Sequence, residues 1–258
     1  MMRWLSRCVN KMEKVPAIKL MKEEYTMRYL VYIAIIFISF SHISAQKIEA
    51  VDLALPSGLK WGNVNVGAQL PTEYGDYFAW GEIKTKMYYG QYSKYKHYDD
   101  KSFSKYNYVN YRGSVVDKIL QLNYEDDVAV QRLGNGWRMP TEAEVKELLD
   151  TCNCIWTVVD SCGTRGYLVQ SRRNSSKAIF LPLTGQIDYG TVRQFPATQG
   201  GYWTSTLVEE NFVGTAKQDS LGKDYVRKAL CLKINSEESP VIEYVSRKVG
   251  CVVRPVRK

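Results

Sequence analysis

The sequence predicts an α+β fold: mostly antiparallel strands, one clear helix near 141–151 and a long Tyr-rich insertion. Three observations carry that prediction. Short runs of β-branched and aromatic residues fill the chain beyond residue 153. A single strong helix start stands at Thr141. Strands and helices do not alternate regularly, which argues against a doubly wound parallel sheet. The chain has 258 residues, 45% of them hydrophobic and 24% charged, a composition that excludes wholesale disorder.

The first 45 residues stand apart. Residues 29–43, YLVYIAIIFISFSHI, are preceded by Lys22 and Arg28 and followed by Ser44-Ala45-Gln46. Basic residues, an apolar stretch and small residues, in that order, make a secretory signal, with cleavage expected after Ala45. The rival reading is an uncleaved anchor, for which about 15 apolar residues is short. Met27 makes a more usual start than Met1, so 1–26 reads as an over-extended start, 27–45 as the signal peptide and 46–258 as a single domain. The expected location is exported: periplasmic, cell-surface or extracellular. A membrane is met only through the signal segment, should it stay uncleaved. The whole chain carries 35 Lys and Arg against 27 Asp and Glu, a net +8. Removing 1–45 leaves 28 basic and 24 acidic residues, and the modest +4 that remains argues against a nucleic-acid partner.

Along the remaining chain, VDLALPSGLKWGNVNVG (51–67) alternates apolar and polar residues around Pro56-Ser57-Gly58, the pattern of a hairpin with its tip at that tripeptide. In TEYGDYFAWGE (72–82) the aromatics read as core. Residues 84–112 hold eight Tyr between Tyr88 and Tyr111 and no clean period, so they read as an irregular excursion. Such a loop is either a binding surface, since Tyr gives large contact area at low entropic cost, or a solvated, partly ordered insertion. Thr141 and Glu144 form a capping box, and Val145, Leu148, Leu149 and Cys152 fall on one predicted buried face. Glu142, Glu144 and Glu147 belong to a helix start that favours acids. Strands are expected at 154–160, 167–172, 177–187, 200–207, 226–234 and 248–256.

Chemistry is sparse. His42 and His97 are the only His, and His97 alone survives removal of 1–45; a lone loop His reads as a surface residue. Asp126-Asp127 lacks the oxygen count of a calcium site. Gly134-Asn135-Gly136 fails as a dinucleotide loop at Met139. Beyond Ala45 the cysteines are Cys152, Cys154, Cys162, Cys231 and Cys251. An exported chain can keep disulfides, and an odd number leaves a thiol free or intermolecular. A Cys231–Cys251 bridge and a pair of buried free thiols are both open. No metal or other cofactor is expected.

Several segments in order, VDLALPSGLKWGNVNVGA (51–68), EYGDYFAWGE (73–82), EDDVAV (125–130), NGWRMPTEAEVKELL (135–149), IFLPLTG (179–185), GGYWTST (200–206) and VGCVVRPV (249–256), together resemble the Fibrobacter succinogenes major paralogous domain. The resemblance covers nearly all of 50–256. It implies a C-type-lectin-like fold akin to the formylglycine-generating proteins, and an exported, non-catalytic binding or adhesion domain whose partner is an extracellular protein or glycan. It places ligand contacts on C-terminal strands and loops, here about 186–225, with Tyr189, Arg193, Tyr202, Trp203, Asp219 and Tyr225 as candidates. Strand alternation points one of Tyr202 and Trp203 inward. Arg254 reads as a structural anchor. Two alternatives stand beside this: a formylglycine-type oxidase, and a structural envelope or appendage subunit. The calcium signature of true C-type lectins is absent. Cys231 and Cys251 also lie farther apart in sequence than the cysteine pair of the formylglycine enzymes.

Overall fold

A computed structural model describes residues 48–99, 101–108, 114–191, 193–207 and 227–258. The chain divides after Ala45, and everything described belongs to Gln46–Lys258. Among the described residues are nine strands in three antiparallel sheets of three, and two short α-helices. The architecture is sheet-rich α+β. The first sheet joins β1 (Ala50–Asp52), β2 (Lys60–Gly62) and the C-terminal β9 (Val256–Arg257), in the order β1-β2-β9. The second runs β3 (Cys154–Ser161), β4 (Thr164–Ser171), β5 (Ala178–Pro182). The third runs β6 (Gln199–Trp203), β7 (Lys228–Asn235), β8 (Val241–Ser246).

The expected hairpin forms at β1–β2. Gly58 donates to the Leu55 carbonyl at 2.9 Å, and Leu53, Leu55, Leu59 and Trp61 are buried. Gly58 adopts φ +71°, where a side chain would be strained. The helix expected at Thr141 is α2 (Glu142–Leu149), with both halves of the capping box made. Arg138 adds a two-pronged ion pair to Glu144. Helix α1 (Val128–Leu133) lies outside the sequence expectation. It is capped by Asp127, whose carboxylate accepts from the Ala129 and Val130 amides.

Strands β6 and β7 of the third sheet are buried on both faces, while β8 at its edge is only partly covered. Tyr202, Leu232, Ile234 and Val252 enter one core; Trp203, Ala229, Cys231, Cys251 and Val253 enter another. Alternation along each strand sends neighbours to opposite faces. A strand covered on both sides needs apolar residues at nearly every position, which is why 228–235 and 249–253 read as almost continuous apolar runs. Residues 250–252 extend the layer by bridges from Val252 to Tyr202, Cys251 to Phe78 and Gly250 to Ile187.

The described part of the Tyr-rich excursion, 84–99 and 101–108, is irregular but not a solvated appendage. Tyr89, Tyr95, Phe103 and Tyr106 are buried. Irregular backbone leaves carbonyls without ladder partners, and each must still be satisfied. The tyrosine hydroxyls satisfy them: Tyr95 donates to the Trp80 carbonyl at 2.7 Å and Tyr89 to that of Tyr77 at 2.5 Å. Trp80 and Trp203 act likewise, donating to Thr204 and Phe78 carbonyls, each at 2.8 Å.

Other expectations are corrected. Cys152 is exposed, because the backbone turns extended at Asp150 and the buried face stops at Leu149. His97 is buried at 5% exposure. Strand β8 was not expected. The run 248–256 carries bridges rather than one strand, with β9 at its end. Among the described residues no helix is long and apolar enough to cross a membrane.

Candidate functional site

Of the six residues picked out for ligand contact, two share an exposed loop. Residues 185–199 are pinned at several places, two of them on either side of Tyr189. Gln186 and Gln194 exchange backbone hydrogen bonds at 3.1 and 2.7 Å, and Tyr89 and Gly190 do so at 2.9 and 3.2 Å. Between these anchors Tyr189 stands 65% exposed, its ring edge-on to Tyr88 with 5.5 Å between centroids. A hydrogen bond to Tyr189 holds the Tyr88 hydroxyl above its ordinary pKa. The Arg193 guanidinium lies 5.1 Å from the Tyr74 ring centroid, a cation–π contact. Burial pushes the neighbouring Tyr77 hydroxyl up to about 12, against the opposing pull of Arg193. Phe195 on the same loop is exposed with φ +55°, a strained setting for a bulky side chain. The loop thus presents aromatic side chains and one cation on a backbone hydrogen-bonded on either side of Tyr189.

The other candidates separate from this face. Tyr202 and Trp203 are both buried, one on each side of the third sheet, so neither meets a ligand at the surface. Alternation would free one of them only if one face of the sheet met solvent. The Tyr202 hydroxyl donates to the Pro182 carbonyl at 2.6 Å. Asp219 and Tyr225 lie outside the described residues. Arg254 is a structural anchor, donating to the Asn65 side chain at 2.7 Å and to the Gly62 and Phe180 carbonyls at 2.9 and 2.8 Å. Burial without a facing carboxylate lowers its pKa to about 10.

Two polar features lie inside. Asp126 accepts from Lys96 and Lys105, both at 2.6 Å, and from the Tyr106 hydroxyl at 2.5 Å. His97 Nε2 lies 3.1 Å from the Gly81 carbonyl and 3.5 Å from Asp126. These contacts tie the Tyr-rich segment to the approach to α1. The second feature is the pair Cys231 and Cys251, both free and both buried. A Cβ placed on Gly201 would lie 2.9 Å from the Cys251 sulfur and 3.4 Å from that of Cys231, so the glycine makes room for both. β6 runs between the strands that carry them, since Trp203 pairs with Cys231 and Tyr202 with Val252. Two strand spacings separate their Cα atoms by on the order of 10 Å, beyond the ~7 Å that a disulfide spans without backbone movement. Burial, then hydrogen bonding to Cys231, pushes the Cys251 thiol well above its ordinary pKa.

One surface was missed from the sequence. A cleft of about 510 Å³ opens between the β3–β4 sheet and the turn joining β7 to β8, lined by Trp156, Tyr167, Arg172, Glu237, Glu238 and Pro240. The Tyr167 hydroxyl holds that turn by donating to the Asn235 and Glu238 carbonyls at 2.7 and 3.0 Å. The alternating apolar pattern of β3 was a signal for Trp156. Nothing local announced that a turn eighty residues on, roughly, would meet it. Among the described residues, no group of three or more His, Cys, Asp and Glu is placed to hold a metal ion. Comparison with known proteins finds no family model, no curated protein and no solved structure that matches this chain.

Proposed function

We propose that the chain is an exported, non-catalytic binding or adhesion domain with a C-type-lectin-like fold, in the Fibrobacter succinogenes major paralogous domain family. It recognises an extracellular protein or glycan through the face built from Tyr74, Tyr88, Tyr189 and Arg193. The single observation that carries this reading is Tyr189, a large ring held 65% exposed on a loop pinned from both sides. Exposed Tyr and Arg on rigid backbone are the side chains that dominate binding hot spots, because they bury much area while losing little freedom. The test is binding of the purified chain to a combined glycan and protein array, in calcium and again in chelator. A reproducible hit in both conditions supports the reading. A blank array from folded protein contradicts it, and a hit that needs calcium contradicts its cation-free form.

One observation favours a second reading. The formylglycine-type oxidase needs two thiols within reach of each other, and Cys231 and Cys251 share the space over Gly201. Both are 0% exposed and neither lines the 510 Å³ cleft, so this reading also needs a path to them. Thiol titration of folded protein separates the two: slow labelling of both cysteines favours the binding domain, rapid labelling the oxidase.

A further inference from the structure

Strand β3 is the outer strand of its sheet: among the described residues it pairs with β4 and with no other strand. The turn that closes the β3–β4 hairpin fixes which backbone groups of β3 face outward. Ser161 and Thr164 are partners across the two-residue turn Cys162-Gly163, whose φ values are +48° and +79°. Such a turn closes on a doubly hydrogen-bonded pair, and these pairs then alternate down the ladder. Ser161, Val159, Thr157 and Ile155 therefore direct their N–H and C=O groups to β4, while Asp160, Val158 and Trp156 direct theirs away. Two bonds agree with this parity. The outward N–H of Cys154 donates to the Asp150 carbonyl at 3.1 Å, and the Arg165 carbonyl, on the far side of β4, accepts from Leu183 at 2.9 Å. Beyond Cys154, no backbone bond to the outer side of β3 occurs among the described residues.

Edge strands are normally blunted by Lys, Pro, a bulge or a covering segment. The sequence CIWTVVDS contains neither Lys nor Pro, its one charge is Asp160, and Ile155 is 39% exposed. The geometry points to a second copy of this chain as the occupant, with β3 paired antiparallel to β3 about a dyad through Val158. In that register Val158 faces the partner's Val158, and Trp156 faces the partner's Asp160. Each pair exchanges two N–H···O bonds, and every outward group of the three residues is used. Thr157 meets the partner's Val159 and Ile155 meets the partner's Ser161, so no like charges oppose each other. The contact is isologous and closes at two copies, joining two sheets of three strands into one continuous sheet. The hairpin tip then comes alongside the turn that precedes the partner's β3, where the Asp150 carbonyl already takes the outward N–H of Cys154 and where Cys152 is exposed. Cys152 and Cys162 are the exposed thiols among the described residues.

The test is sedimentation equilibrium of the full chain under reducing conditions, beside Val158→Pro and Asp160→Pro. Each substitution removes an outward N–H and leaves the bonds to β4 intact, the one setting in which a strand tolerates Pro. A dimer is expected, weakened about tenfold to a hundredfold by Val158→Pro, which deletes two of its bonds. A chain that stays monomeric at every concentration overturns the inference, as does a dimer equally tight in both variants. If circular dichroism shows Val158→Pro unfolded, Asp160→Pro at the exposed end of the strand carries the comparison. A short thiol cross-linker on the unaltered chain reads the register directly. A dimer trapped through Cys162 and the partner's Cys152 supports it, and a trapped dimer without that link overturns it.

Discussion

Replacing Asp126 with Asn removes the charge on which the Tyr-rich segment converges. The Asp126 side chain is 1% exposed, yet two ammonium groups and a phenol donate to it. Burial raises its pKa, but the donors from Lys105, Lys96 and Tyr106 outweigh burial and bring it from 3.8 to about 2. A shift of roughly two units corresponds to roughly 2–3 kcal/mol of stability. Lys96 is half exposed, so solvent screens its share; about 2 kcal/mol is the expected loss in Asp126→Asn at neutral pH. Because the folded pKa is depressed, this stability is fully present above pH 4, roughly, and is lost as pH falls toward 2. Urea unfolding followed by Trp fluorescence at neutral pH and at pH 2, approximately, measures both halves. The two proteins should differ at neutral pH and converge in acid. A neutral-pH difference under about 0.5 kcal/mol, within the range of an ordinary surface substitution, would refute the reasoning, as would a difference unchanged in acid.

Burial lowers the pKa of His97 from 6.5, so below that pH the unfolded chain takes up a proton that the fold resists. Stability should fall as pH drops from 6.5, and His97→Gln should flatten that slope in urea melts. Tyr95→Phe keeps the core volume but leaves the buried Trp80 carbonyl without its donor, at a cost of about 1–3 kcal/mol in equilibrium unfolding. Gly90 has φ +89°, and a Cβ there would sit 1.9 Å from the Asp188 carbonyl oxygen. Gly90→Ala should therefore separate the Tyr-rich segment from the 185–199 loop, seen as faster hydrogen exchange at Tyr89 and Gly190.

Local rules located what local physics determines. The Pro-Ser-Gly hairpin and the Thr141 capping box involve neighbours in sequence, and both form as expected. Strands β3 to β7 followed from side-chain type, although their ends did not, and β8 was missed. What escaped depends on distant partners. The burial of Tyr89, Tyr95 and Tyr106 is set by carbonyls of other irregular segments, which have no periodic signature. Tyr202 and Trp203 could not both be assigned inward from alternation alone, because that requires knowing that both sheet faces are covered. The 510 Å³ cleft needs the turn at 236–240 brought against Trp156, and only tertiary structure does that. Cys231 and Cys251 looked remote in sequence, yet both flank the strand that carries Gly201.

The central claim is that ligand is met at the exposed Tyr189 face. The most direct measurement is titration of the array-identified ligand against Tyr189→Ala, beside Trp156→Ala in the separate cleft. The account predicts at least about a thirtyfold loss of affinity for Tyr189→Ala, the scale of a hot-spot tyrosine, and an affinity near that of the unaltered chain for a folded Trp156→Ala. Undiminished binding by Tyr189→Ala, or loss confined to Trp156→Ala, would contradict it.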